Sequence, residues 1–154
     1  MIKVQLDWGE IFNSAMVGVY RQIASLKDGR RDQHGFNGDD GWTIHIEGAA
    51  GETAVAKALN RYLKPTFNVF KSVRDVDMWE VRTRSKHDYD LIVRKGDGDS
   101  IPFILVTGRI PNFVVHGWIY GKDAKQDKWV AEYGGRPPAW FVPKGELNSL
   151  DTLP

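Results

Sequence analysis

The chain has 154 residues, enough for one domain with its own hydrophobic core, and 42% of them are apolar. Its 21 Lys and Arg stand against 20 Asp and Glu, a net charge of +1 that excludes a histone-like polycation yet permits a local basic groove. The absence of cysteine excludes disulfides and thiolate metal sites and fits a reducing compartment such as the cytoplasm, and no apolar run approaches the about 18 residues of a membrane span.

Residues 7 to 27 predict an amphipathic helix. Asp7 can cap it with Glu10 at the third helical position, and Ile11, Phe12, Met16, Val19, Ile23 and Leu26 fall near helical spacing. These six are expected to pack inward, leaving Arg21 and Lys27 on a solvated basic face. Asp28-Gly29 would end the helix. Residues 28 to 41 carry four glycines and mixed charge, as a mobile surface loop does, and its Arg30, Arg31 and His34 are candidates for backbone phosphate contact. Residues 42 to 63 predict a second helix through Gly48-Ala-Ala-Gly-Glu-Thr-Ala-Val-Ala, with Ala54, Val55, Ala58 and Leu59 as its buried stripe. Glu52 stands where a phosphate loop needs Lys before Ser or Thr, so a nucleotide site is not expected.

From residue 66 the pattern changes to strands: Thr66 to Val73, Trp79 to Arg84, Leu91 to Arg94, Phe103 to Thr107 and Phe113 to Tyr120. The expected architecture is α+β or mixed α/β, a central mixed β-sheet of about four to six strands flanked by two main helices in a single domain spanning 1–154. Lys95-Gly-Asp-Gly-Asp reads as the turn between two core strands, without the spacing of a calcium loop. His116 reads as a core or edge histidine. The last third has one short apolar strand at 139 to 142 and otherwise wraps the sheet; Lys122, Lys125, Lys128 and Arg136 could line a groove with Trp129 and Trp140 as stacking platforms, although bulky aromatics more often fill a core.

The chemistry concentrates in Asp75-Val-Asp-Met-Trp-Glu-Val-Arg-Thr-Arg. Trp79, Val81 and Thr83 alternate with Glu80, Arg82 and Arg84, so a strand here puts an apolar set on one face and an acid with two cations on the other. A carboxylate two residues from a cation on one face suits metal-dependent phosphodiester hydrolysis: an oxygen ligand for the ion and a fixed positive charge for the phosphate. A second acid must come from Asp75 or Asp77, both an odd number of residues before Glu80, so a bend has to intervene. Lys86 and His87 follow in the turn Ser85-Lys-His-Asp-Tyr-Asp and complete, with Arg82 and Arg84, the densest basic cluster of the chain.

A helix-borne Glu52, an Asp and a Glu-x-Arg strand together resemble the PD-(D/E)XK nuclease superfamily over roughly residues 48 to 106, with Arg82 where the family has lysine. The resemblance implies a restriction-endonuclease-like fold in which Asp75 and Glu80 hold Mg²⁺ or Mn²⁺, with Asp77 as the alternate first acid, and the Val81 carbonyl adds a ligand. It further implies that Glu52, or Glu47 in its stead, orients water, that Arg82 stabilises the phosphate in the transition state, and that Arg84, Lys86 and His87 contact nucleic acid. Arginine stays protonated and cannot act as a general base, so hydroxide would have to come from metal-bound water. The implied function is a phage or mobile-element nuclease acting on DNA rather than RNA. The alternative is a catalytically inactive nuclease-like fold that binds nucleic acid or a protein. Enzymes that cut both strands are often symmetric dimers, which adds a homodimer to the expectations.

Overall fold

Asp7 opens the first long helix as its sequence context requires. In the computed structural model, which describes residues 1–29, 41–66 and 73–154, its carboxylate accepts from the Glu10 N–H at 2.9 Å while Glu10 accepts from the Asp7 N–H at 2.8 Å. This reciprocal capping box satisfies two donors that a helix start leaves open. In chain order the elements are β1 (Ile2–Gln5), α1 (Trp8–Lys27), α2 (Gly41–Ala58), β2 (Glu80–Arg84), β3 (Leu91–Val93), β4 (Pro102–Arg109), β5 (Asn112–Tyr120), the one-turn α3 (Gly121–Ala124), β6 (Val130–Ala131) and β7 (Ala139–Val142).

The architecture is α+β, as expected. A four-stranded mixed sheet has the order β1-β5-β4-β2, with β2 parallel to β4 and the other neighbours antiparallel. A three-stranded antiparallel sheet, β3-β7-β6, lies against its other face. Alternation along β4 sorts the core into two. Ile104 and Val106 join Val81, Val115 and the Ala50, Ala54 and Val55 stripe of α2. Phe103 and Leu105 join Leu91, Val93, Ile119 and Val142. The main sheet is thus buried on both sides, which is why β4 reads as an unbroken apolar run.

Helix α1 lies outside α2 and antiparallel to it, with Lys57 on Glu10 at 2.8 Å, Ser14 on Thr53 at 2.8 Å and Gln22 against Gly41. Here the structure corrects the sequence reading. The buried residues of α1 are Ser14, Gly18 and Gln22, whereas Phe12, Met16, Ile23 and Leu26 are exposed and, of the expected stripe, Ile11 packs against the core. The reason is close approach: a Cβ on Gly18 would lie 2.5 Å from the Ile46 Cα, so only a face without bulk fits there.

Two further expectations change. The turn from Lys95 to Asp99 does not join paired strands, since β3 belongs to the small sheet and β4 to the main one. The final third contributes more than a wrapping, because β7 is the centre of the small sheet. Trp118 donates to the Ser149 carbonyl at 3.0 Å and Leu150 packs on the main core. The strand predicted from Thr66 to Val73 and the loop predicted over 28 to 41 fall largely on 67–72 and 30–40, outside the described residues.

Helix α2 meets β2 at Gly51, where an added Cβ would run into the Thr83 side chain. Gly51→Ala should therefore lower stability by about 1–3 kcal/mol, the usual range for overpacking. Thr83→Ala in the same chain should restore most of the loss, measured by urea denaturation of the two single variants and the double.

Candidate active site

The turn before β2 supplies the bend that the odd spacing of the acids demands. Val76 and Trp79 pair across it, the Trp79 N–H donating to the Val76 carbonyl at 2.9 Å, and Asp77 occupies the left-handed region with φ of 53°. Asp and Asn tolerate that region better than most residues. Burial of Val76 and Trp79 in the core fixes the turn, and the turn returns Asp75 to the start of β2, where its Oδ2 accepts from the Val81 N–H at 2.8 Å. The strand itself alternates as predicted. Val81 faces α2, while Arg82 lies on the opposite face with its guanidinium 4.9 Å over the Phe103 ring.

Four of the predicted residues come together here. Glu52 on α2 is 7% exposed and receives a two-pronged bond from Arg21 of α1, at 2.6 and 2.8 Å. Arg21 also donates to the Thr66 carbonyl at 3.0 Å. Glu80 accepts from Arg74 at 3.0 Å and lies 3.6 Å from Arg82. Arg82 in turn donates to Asp97 at 2.9 Å, and Asp97 also accepts the Arg94 N–H at 2.8 Å. The Arg82 Nε is buried without a protein partner.

Asp75 sits between the acids of α2 and β2. Burial, then the neighbouring charges of Glu52 and Glu80, push its carboxyl up to about 7, against the opposing pull of the Val81 N–H and of Arg82. A carboxyl so perturbed by desolvation and by two named carboxylates marks a candidate site. The acids supply hard oxygen donors suited to a divalent cation such as Mg²⁺ or Mn²⁺, and the crowding of negative charge on Asp75 is what such an ion would relieve. Among the described residues no group of three or more His, Cys, Asp or Glu side chains is arranged to hold a metal ion. A metal would therefore rest on Asp75 and Glu80 with main-chain or solvent oxygens.

Asp77 does not join this group. It is half-exposed at the tip of the turn with Arg61 at 3.9 Å. Glu47 is also elsewhere, accepting from the Ile110 N–H at 3.2 Å, and burial raises its carboxyl above the ordinary range.

The basic residues occupy the far end of β2. Arg84 pairs in register with Thr107, four positions from the Glu80 level, or about 13 Å at the usual rise per residue. Its guanidinium lies 4.7 Å over the Tyr89 ring and Lys86 lies 5.5 Å over the same ring. His87 Nδ1 is 2.8 Å from the Thr107 hydroxyl, which is 2.6 Å from His116 Nε2. His116 occupies the irregularity where Leu105 pairs with Gly117 and Val106 with Val115. Burial, with the nearby positive Lys144 and His87, pulls its imidazole down to about 4. Lys122, Lys125 and Lys128 do not converge on one groove: they lie over Tyr120, Trp140 and Trp129, respectively, and Lys125 bonds Asp99 at 2.6 Å.

Arg21, Arg74 and Asp97 were missed as site residues. Arg21 reads as solvated in a helix whose apolar stripe is assumed to face inward, and Asp97 reads as a turn residue. No helix among the described residues is long and apolar enough to cross a membrane. No protein-family model, curated protein or solved structure matches the chain.

The raised Asp75 carboxyl has a consequence for stability. An unfolded aspartate ionises near 3.8 and the folded one near 7, so the folded state holds the proton more tightly. The associated stability is fully present below the unfolded value and is lost as pH rises to the folded value. Asp75→Asn should abolish that slope. Relative to wild type, the variant should gain roughly 1–3 kcal/mol between pH 4 and pH 8 in chemical denaturation, less than the full shift implies because the site is partly exposed.

Proposed function

We propose that this chain is a metal-dependent phosphodiesterase of the PD-(D/E)XK kind that acts on DNA. The observation that carries the reading is the gathering of Glu52, Asp75, Glu80 and Arg82 around the start of β2, where burial and then the charges of Glu52 and Glu80 hold a proton on Asp75 up to about pH 7. Asp75 and Glu80 would hold Mg²⁺ or Mn²⁺. The ion, when bound, supplies an activated water near neutral pH and positive charge beside the phosphate. That source of hydroxide removes the need for a lysine base. Asp75 must lose its proton to become a ligand, so metal affinity should climb as pH passes through about 7.

Arg82 is fixed by Asp97 and the Phe103 ring, and its fixed guanidinium suits stabilisation of charge building on the phosphate. Glu52, locked in orientation by Arg21, would order water near Asp75. Arg84, Lys86 and His87, further along the same strand and its turn, would hold backbone phosphates away from the scissile one. A phage or mobile-element origin, action in the host cytoplasm and a dimeric assembly complete the reading.

A second reading is a nuclease-like fold that binds nucleic acid without cutting. The engagement of Glu52 by Arg21, and of Glu80 by Arg74 and Arg82, favours it, since these carboxylates already have cationic partners.

Calorimetric titration of Mg²⁺ and Mn²⁺ separates the two, followed by cleavage of plasmid and oligonucleotide DNA by the same samples. The nuclease reading expects metal binding by wild type and its loss in Glu80→Ala. Cleavage should fall by more than about 100-fold, beyond what a change outside the ligand set brings, while DNA affinity persists. Absence of metal binding and of cleavage with DNA present would overturn it. Under the binding reading, Arg84→Ala or Lys86→Ala should weaken binding equally across sequences and reduce the salt slope by about one each.

A further inference from the structure

The outer face of α1 is apolar from Trp8 to Leu26. Trp8, Phe12, Met16, Tyr20, Ile23 and Leu26 follow one another at helical spacing and are all exposed, Trp8 by 86% and Leu26 by 59%. Of the charged residues of the helix, Glu10 and Arg21 lie off this face, and Lys27, four residues past Ile23, stands at its C-terminal end. Glu10 bonds Lys57, and Arg21 is committed to Glu52. A stripe of this extent is uncommon on a surface that stays in water.

We propose that this face is an isologous interface with a second copy of the same chain, the two α1 helices packed antiparallel about an axis near Met16 and Val19. Three observations select this occupant. The residues match in size when the helix is turned on itself, because Trp8 then meets Leu26, Phe12 meets Ile23 and Met16 meets Tyr20 of the other copy. The face carries one charge, Lys27 at its C-terminal end, too few for a phosphate backbone or an anionic bilayer, since interfacial helices flank their apolar side with several Lys and Arg. Its extent also suffices: aromatic side chains bury roughly 150–250 Å² each, and six large residues approach the about 800 Å² per partner of a stable interface. The inference gives the dimeric assembly of the proposed function its interface, on residues that take no part in the proposed catalysis.

The chain lacks cysteine, so single-cysteine variants report the geometry directly. In sedimentation equilibrium at micromolar concentration, wild type should run at twice the 17.4 kDa of one chain. Met16→Glu, which places two carboxylates in the middle of the apolar seam, should run as a monomer with an unchanged circular dichroism spectrum. Under mild oxidation a mixture of Trp8→Cys and Leu26→Cys should cross-link, while neither variant does so alone. A monomeric wild type, a dimer indifferent to Met16→Glu, or cross-linking of Trp8→Cys with itself would overturn the proposal. Wild-type binding to phosphatidylserine vesicles that Met16→Glu abolishes would overturn it too, assigning the face to a lipid surface.

Discussion

The bond between Arg21 and Glu52 is the constraint on which the arrangement depends. A carboxylate placed on the inner side of α2 loses most of its hydration, a cost of several kcal/mol unless a cation with matching geometry is supplied. Arg21 supplies it with two parallel bonds, the geometry a guanidinium offers a carboxylate. This fixes the rotation of α1 about its own axis. Arg21 must face inward, and with it turn Ser14 and Gly18, which lie on the same side. The apolar residues of α1 are then left outside. One ion pair thus both holds Glu52 where its charge reaches Asp75 and, with the close approach at Gly18, leaves the helix stripe exposed.

Strand β2 divides the other contributions. Its alternation sends Val81 toward the helices and Arg82 toward the small sheet, so one strand serves a core and a charged cluster at once. The partition holds because both faces of the strand are closely engaged. On one side Gly51 brings α2 against Thr83, and on the other Arg82 is held between Asp97 and Phe103. The small sheet therefore does more than cover the main one: it fixes β3, whose last residue leads into the Asp97 turn that holds Arg82.

Much of this was legible because it rests on short-range rules. The Asp7 and Glu10 cap, the alternation from Trp79 to Thr83 and the need for a bend before Glu80 follow from spacing alone, and all three are present. Glu52, Asp75, Glu80 and Arg82 were named together through the resemblance that their order in the chain carries. What escaped depends on long-range partners. Nothing near Arg21 in sequence announces Glu52, and helical periodicity marks an apolar face without saying whether that face is covered. The same limit applies to Lys95-Gly-Asp-Gly-Asp, whose turn chemistry is plain but whose flanking strands part into separate sheets. Between Asp75 and Asp77 the sequence leaves a tie, and the left-handed backbone at Asp77 separates them.

The edge of the main sheet bears on how the chain acquires its structure. β1 pairs with β5 through Ile2 and Val115, and Leu6 donates to the Pro111 carbonyl at 2.9 Å. β2 and β4 are parallel, so they too wait for an intervening segment to be placed. Contacts that close such long loops form late and slowly. During synthesis, which proceeds N-terminus first, β1 has no partner until β5 has left the ribosome. Until then the two helices have only each other to pack against. The acids on α2 and at the start of β2 thus settle only once β4 has joined β2, and a product cut short of β4 would carry their sequence without their arrangement.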